Sequence, residues 1–542
     1  MPLLMVMATA FLVILPFFFL GNPSGHDFEF HVNSWMEVLG QWRQGILYPR
    51  WAGLAQYGYG EARFIFYPPS SWTLGAALGA LLPWKAVAGT YVWLALTLSG
   101  CSMFLLARRW LDRRDAIFAA ALYAANPYYL VIVYWRSAFA ELLAGALLPV
   151  LFLYALRSEE EGQEAVIPLA AIVGSAWLTN IPAAVMVNYS LTLLIAILAI
   201  LKRSLRVLLC GVLTVLLGAA LAAFFLVPAA YEQKWVNIAE VLSPGVRPQD
   251  NFLFVNINDI DHNRFNLLIS LVASAEMIVL AIAAFFSRRW RHREPRPWWM
   301  LFGWTILAAL LNCSFTFFLW EHLPELRFLQ LPWRWLLCLN MAFALLVTMA
   351  ARHWIVRVLI CLTMCAVLAF AWHRVQPPWW ETAADFGQML ESQRSGKGYA
   401  GTDEYVPVGG DPYEIKQDAP RVALDDFSAA PDQVQGIRIQ RWNAESKLFT
   451  AEVAQPGQLV LRLFNYPAWR VEVNGQVVAT ATRDVTGQML IPVQAGENRV
   501  QITFSRTWDR TLGGIISGVT GLVLGGLVAL RRRRASSDAD LA

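Results

Sequence analysis

Apolar residues in this chain come in unbroken runs of about twenty, the length that crosses the hydrocarbon core of a bilayer. Such runs lie near 2–21, 87–107, 115–133, 139–157, 165–181, 183–201, 206–228, 267–286, 297–318, 332–350, 354–373 and 511–530. They predict a polytopic α-helical membrane protein of about 12 transmembrane helices. The stretch 70–86 is also apolar, but a crossing there would spoil the alternation of the spans. A surface or re-entrant helix ending at Leu82-Pro83 is expected instead. Met1 to Leu20 lacks a basic start and exits through Gly21-Asn22-Pro23-Ser24, a poor cleavage site, so a retained helix is expected rather than a secretory leader.

Three polar stretches interrupt this pattern: the loops 22–70 and 229–266, and the segment 374–510. The second half of 374–510 switches to strand alternation, at Leu459–Phe464, Trp469–Val473, Gln476–Thr480, Met489–Val493 and Asn498–Phe504. Asn474-Gly475 between two of these predicts a tight hairpin turn. A β-sandwich-like domain is expected over 374–510, with irregular structure over 381–433. The chain thus divides into a membrane module (1–373), the β domain (374–510) and a final helix with a basic tail (511–542).

Composition agrees: 57% of residues are apolar and only 15% charged, with mean hydropathy +0.45, which excludes a soluble globular protein. The net charge of +4 is no nucleic-acid footprint, because the basic residues cluster at helix ends. The clusters are Arg108, Arg109, Arg113 and Arg114; Lys202, Arg203 and Arg206; Arg288, Arg289, Arg291 and Arg293; Arg352 with Arg357; and Arg531 to Arg534. With all of them cytoplasmic, the spans alternate without contradiction, both termini are cytoplasmic, and the three polar stretches face outward. All six cysteines lie in or beside apolar spans, and Cys361 and Cys365 read as small core residues rather than metal ligands.

Candidate chemistry concentrates in the first outward loop. His26, Asp27, Glu29 and His31 crowd directly after a membrane helix. In a helix Asp27 and His31 share a face, and in a strand Asp27, Glu29 and His31 do. A carboxylate beside an imidazole suits deprotonation of a hydroxyl, or binding of a divalent ion (Mg2+ or Mn2+) that holds a phosphate. An ordinary polar helix exit is the bland alternative. Tyr57, Tyr59 and Tyr67 give the same loop aromatic faces of the kind that hold sugars. In the second loop, Asp259, Asp261 and His262 form a second, weaker candidate cation site, and Glu232 lies near its start. Glu321 marks an acceptor entrance on the same side. No Gly-rich phosphate loop, Ser–His–Asp series or CxxC pair is present, so no nucleotide cofactor is expected.

The order Asp27, His31, Gly45-Ile-Leu-Tyr-Pro-Arg-Trp51, Gly58-Tyr-Gly60 and Phe66-Tyr-Pro-Pro69 resembles the start of bacterial membrane proteins of the GT-C glycosyltransferase superfamily. Within it, the resemblance is to the 6-pyruvoyl-tetrahydropterin-synthase-related proteins. Leu331-Pro-Trp-Arg-Trp-Leu336 agrees, and Asn465-Tyr-Pro-Ala-Trp-Arg-Val-Glu-Val-Asn-Gly475 resembles a segment of YfhO-like membrane proteins. The resemblance implies a GT-C-like module in the bacterial cytoplasmic (inner) membrane. It further implies sugar transfer from a polyprenyl-phosphate donor on the outer face, with a catalytic acid in the first outward loop. That role maps onto Asp27, with Glu29 second, although Phe28 separates them where better-known members show a two-acid pattern.

A lipid phosphate needs positive charge at the outer rim. Arg334, enclosed by Pro332, Trp333 and Trp335, ranks first, followed by Arg136 and Arg327. Snorkelling to lipid headgroups is the alternative for each. Glu141 cannot stay charged against lipid and is expected to pair with Arg136. The leading expectation is a membrane glycosyltransferase whose partners are membrane lipid, a lipid-linked sugar and a glycan or protein acceptor. A non-catalytic scaffold of the same fold, bound to a membrane protein partner, is second, and a transporter of lipid-linked glycans is third.

Overall fold

The computed structural model describes residues 1–425 and 436–541. Among the described residues, nine helices are long and apolar enough to cross a membrane: Pro2–Leu20, Trp84–Ala107, Arg113–Arg136, Phe139–Ser158, Ile181–Lys202, Ile260–Phe286, Pro332–Ala350, Trp354–Arg374 and Trp508–Arg531. The other three expected spans depart from that form. The 206–228 run is two helices, Leu205–Leu221 and Ala223–Trp235, bent by 78°, and the 297–318 run is Pro295–Leu310 and Ser314–His322, bent by 97°. Counting each bent pair as one span gives up to eleven.

The 165–181 run is the 14-residue helix Val166–Thr179, about 21 Å long and short of the ~30 Å bilayer core. Asn180 ends it in extended conformation, and its side chain accepts the Ala183 amide at 2.9 Å to start the next helix. Pro182 has no amide to continue the ladder. The 70–86 stretch forms helix Pro69–Leu81 and turns at Leu82-Pro83, as its pattern implies.

Loop 22–70 is largely ordered by its own helix, Phe28–Arg43. Strand β1 (Asn22–Pro23) leads into it and pairs with β2 (Trp380–Glu381), joining the loop to the start of the outer domain. In 381–433, expected to be irregular, helix Ala383–Arg394 forms behind a capping box of Thr382 and Asp385. The remainder of that range from 426 to 433 lies outside the described residues.

Nine further strands follow: β3 (Val422–Leu424), β4 (Arg438–Trp442), β5 (Ser446–Val453), β6 (Gly457–Phe464), β7 (Trp469–Val473), β8 (Gln476–Val478), β9 (Ala481–Thr482), β10 (Gln488–Val493) and β11 (Gly496–Phe504). They form two antiparallel sheets, ordered β3-β6-β10-β9 and β4-β5-β11-β7-β8. The β7–β8 turn has Asn474 at φ 53° and Gly475 at φ 82°, the left-handed pair that a two-residue hairpin requires.

The bundle and the outer domain each have a hydrophobic cluster. The outer cluster recruits Trp51, Tyr59, Ala62, Ile65 and Phe66 from the first loop, so that loop is built into both. Trp51 packs on Tyr466, Trp469 and Phe504, with ring centroids 5.4–5.7 Å apart. A Cβ on Gly60 would lie 2.0 Å from the Trp51 indole nitrogen, so only glycine admits this packing. Cys361 and Cys365 lie on an exposed face of helix Trp354–Arg374 instead of in a core, and the six cysteines are free.

Candidate functional site

Helix Arg113–Arg136 ends in a π turn over Ile132–Arg136, followed by Ser137 at φ 50°. This irregular end exposes backbone groups that fasten the first loop. Ser137 Oγ donates to the Pro23 carbonyl (2.9 Å) and accepts the Gly25 amide (3.0 Å). The amides of His26 and Asp27 donate to the carbonyls of Trp135 (3.1 Å) and Arg136 (2.8 Å). Asp27 is thereby fixed as the N-cap of helix Phe28–Arg43, with its side chain 30% exposed. A Cβ on Gly25 would lie 2.5 Å from the Arg136 carbonyl carbon. Gly25→Ala is expected to cost about 1–3 kcal/mol by overpacking and to displace Asp27, measured by thermal unfolding of the purified protein.

Beneath Asp27 lies a buried charged cluster. Arg136 Nη1 donates to Glu141 Oε2 at 2.5 Å, and its Nη2 is 3.5 Å from Asp27 Oδ2. Arg334, arriving from a distant helix, donates through Nε to the same Glu141 oxygen at 3.2 Å. Tyr128 Oη donates to Glu141 Oε1 at 2.5 Å. Arg334 Nη1 is held by the Leu329 carbonyl (2.5 Å) and Gln330 Oε1 (3.2 Å). The Trp333 ring centroid is 4.9 Å from the Arg136 guanidinium carbon, a cation–π contact in a buried setting. Among the described residues, Arg334 Nη2 makes no hydrogen bond to the protein, and Arg136 Nη2 has only the 3.5 Å ion pair. Arg136 Nη2 thus lies beside a carboxylate that reaches solvent, and Arg334 holds Glu141 from the other side.

Burial works against ionising Asp27, but the His26 hydrogen bond (2.9 Å) and then the Arg136 charge outweigh it and hold the carboxyl well below its ordinary range. His26 is raised by its hydrogen bond to Asp27 and by the Asp27 charge. Burial pushes His31 down to about 4, so it is neutral at pH 7. Its ring packs 5.7 Å from Tyr67, whose phenol is raised first by burial and then by the Asp27 charge.

These opposite shifts give opposite pH dependences. The Asp27 contribution to stability is present at neutral pH and lost only in acid, below 3.8. The His26 contribution is complete below pH 6.5 and fades as pH rises through its higher folded value. A fall in melting temperature on raising pH from 6 to 9 is therefore expected in part from His26, and His26→Ala is expected to flatten it.

The other expected site residues lie elsewhere. Glu29 and Glu321 are exposed, and Arg327 is exposed with its guanidinium 4.9 Å from the Phe328 ring centroid. Tyr57 and Tyr59 lie where the loop meets the outer domain; the Tyr59 hydroxyl donates to the Lys416 carbonyl at 2.9 Å. Glu232 is buried and takes both Arg510 (2.7 Å at each oxygen) and the Tyr466 hydroxyl (2.6 Å), which ties the last helix to the β domain.

The cation site expected at Asp259, Asp261 and His262 is not formed. Asp259 caps helix Ile260–Phe286 by accepting the amides of Asp261 and His262, Asp261 pairs with Arg264, and the His262 ring bonds the Asp250 carbonyl. Among the described residues, no three His, Cys, Asp or Glu side chains converge to hold a metal. Asp27, paired with the Arg136 guanidinium and the His26 imidazole, is a poor donor set for Mg2+ or Mn2+, which take mostly oxygen ligands. Tyr128 and Gln330 are members of the cluster that the sequence pattern did not single out. The one signal for Tyr128 is its place in the same helical segment as Arg136.

A family model described as the 6-pyruvoyl-tetrahydropterin synthase related domain, a membrane protein, matches residues 64–376. That range contains Arg136, Glu141 and Arg334 but not Asp27. No curated protein matches. Among solved structures, the chain is similar to ArnT from Cupriavidus metallidurans bound to undecaprenyl phosphate, at 14% identity and TM-score 0.40, covering 67% of this chain and 63% of that one. It is also similar to the Archaeoglobus fulgidus oligosaccharyltransferase in complex with Zn and sulfate, at 14% identity and TM-score 0.39, covering 74% of this chain and 54% of that one. The archaeal oligosaccharyltransferase AglB of the same organism, with an inhibitory peptide and a dolichol-phosphate, gives 12% identity and TM-score 0.39, covering 74% and 56%. The chain therefore spans less than two thirds of the length of these structures, and likenesses this distant speak to neither chemistry nor substrate. The match over 64–376, more than half of the chain, makes this protein a member of the 6-pyruvoyl-tetrahydropterin synthase related domain family of membrane proteins.

Proposed function

We propose that this protein transfers a sugar from a polyprenyl-phosphate donor to a hydroxyl acceptor at the outer face of the bacterial cytoplasmic membrane, with both termini cytoplasmic. The observation that carries this reading is the convergence of two buried guanidiniums, Arg136 and Arg334, on Glu141, with Arg136 also beside the partly exposed carboxylate of Asp27. The donor phosphate takes the remaining N–H groups of the two arginines, and its tail lies between helices. The acceptor oxygen attacks the anomeric carbon, its proton passes to Asp27, and the bond from that carbon to the phosphate oxygen breaks. The released lipid phosphate stays on the arginines, and direct displacement inverts the anomeric centre. Its lowered proton affinity keeps Asp27 ionised in the resting state, where it is a weak base, so the proton moves to it only once bond formation to the anomeric carbon has made the acceptor oxygen strongly acidic.

One observation favours a second reading, the non-catalytic scaffold: Glu141 already engages both arginines, as a purely structural cluster would. Donor binding separates the two. Purified protein in nanodiscs is expected to bind undecaprenyl phosphate, and Arg334→Gln to bind it about tenfold more weakly, the worth of one charge-assisted contact. Equal binding by both proteins contradicts the assigned role of Arg334.

A further inference from the structure

A cleft of about 690 Å³ opens in the outer domain, lined by Ser395, Gly396, Lys397, Asp418, Arg421 and Arg462 among others. Three cations from separate segments meet there, against the single carboxylate of Asp418. Arg462, on β6, is held in place by backbone carbonyls: its Nε donates to Tyr57 at 2.7 Å, its Nη2 to Tyr57 and to Lys397 (3.0 Å), and its Nη1 to Ala419 at 3.5 Å. Its amide donates to the Arg421 carbonyl at 3.0 Å, which brings the two arginines side by side. Lys397 and Arg421 are exposed, and among the described residues neither pairs with a carboxylate. A Cβ on Gly396 would sit 2.9 Å from Arg421 Nη2, so the glycine leaves room for that guanidinium at the rim. Burial lowers the Arg462 value, as does the nearby Arg421 charge, against Tyr59 and Asp418, which raise it.

The chain segment that lines the cleft also runs toward the candidate site. The segment after Lys397 runs along the first loop, with the Tyr399 amide donating to the Leu54 carbonyl (3.0 Å) and the Tyr399 hydroxyl to buried Glu37 (2.5 Å). It ends at Tyr405, whose ring stacks on Phe66 at 6.0 Å, next to Tyr67 and hence to His31 and the Asp27 turn. From Lys397 to Tyr405 the chain spans at most about 29 Å.

We infer that this cleft binds an anionic group, a carboxylate or a phosphate, carried on the glycan acceptor. A chain-like acceptor is anchored by its charge on Lys397 and Arg421, with the fixed positive charge of Arg462 behind them, while another part reaches toward Asp27. This assignment rests on the transferase reading for the word acceptor, but the anion site itself does not.

The test uses the full-length protein in nanodiscs and compares it with the double variant Lys397→Gln/Arg421→Gln, which leaves the Arg462 tie intact. The probes are a short oligogalacturonate, inorganic phosphate and a neutral maltooligosaccharide. Binding of the oligogalacturonate that weakens tenfold or more in the double variant assigns a carboxylate ligand. The same result with phosphate alone assigns a phosphate ligand. No binding of either anion to the unaltered protein overturns the inference, as do equal binding by the variant and equal binding of the neutral sugar. Undecaprenyl phosphate binding, measured in parallel, keeps the two readings apart. If Arg334→Gln leaves lipid binding unchanged while the double variant loses anion binding, the donor site is wrong and the cleft stands.

Discussion

Glu141→Ala is expected to destabilise the protein by about 3–5 kcal/mol, because it strands two guanidiniums in the low-dielectric interior of the helix bundle. Glu141 is 1% exposed, and it is the shared acceptor for Arg136, Arg334 and Tyr128. Asp27 cannot replace it, being 3.5 Å from Arg136 and partly in solvent. Removing Arg334 as well is expected to restore part of the loss, since one stranded charge then disappears. Thermal unfolding in a fixed detergent checks both variants. A melting temperature for Glu141→Ala equal to that of the unaltered protein contradicts the ionised cluster described above.

Asp27→Asn is expected to lower the transfer rate by about 10² to 10⁴, the usual contribution of a positioned general base. The substitution keeps shape, and the Asp27 side chain makes no capping bond to the helix that asparagine could lose. The backbone bonds that hold this position, from the amides of residues 26 and 27 to Trp135 and Arg136, do not involve the side chain. A folded but inactive variant is therefore the expected result. A scaffold predicts no change in any binding or assembly readout that depends only on fold.

The pairing of Arg136 with Glu141 was legible in the sequence for an energetic reason: neither charge survives alone on an apolar helix, and they are five residues apart. The arrival of Arg334 at the same carboxylate was not legible, because it depends on how distant helices pack. Nor was the π turn that aims Arg136, since Ile132-Val-Tyr-Trp-Arg136 reads as ordinary helix. Hydropathy recognised the runs 206–228 and 297–318 as apolar but is blind to bends inside them. In the outer domain β5 escaped notice because Lys447 occupies an inward position, where its amine is buried beside Trp469 and donates to the Ala444 carbonyl at 2.6 Å. The Thr382 capping box, by contrast, stood in the sequence as Thr-Ala-Ala-Asp, masked by the Gly-, Asp- and Pro-rich composition downstream.

Tyr466 and Trp469, from the segment that resembles YfhO-like proteins, turn out to meet Trp51 of the first loop, so the two resembling segments form one joint. That joint seats the outer domain over the bundle, and the strap from Lys397 to Tyr405 passes along it. In the proposed reading, donor, base and acceptor fall to three parts of the chain: the helix ends, the first loop and the outer domain.

The most direct test is transfer itself. Purified full-length protein, reconstituted in liposomes, is supplied with a panel of radiolabelled polyprenyl-phosphate sugars and a bacterial envelope extract as acceptor. The expected result is label leaving the lipid for the acceptor with at least one donor, and no such movement with Asp27→Asn. Absence of transfer from every donor, with the protein folded and undecaprenyl phosphate bound, would contradict the glycosyltransferase reading.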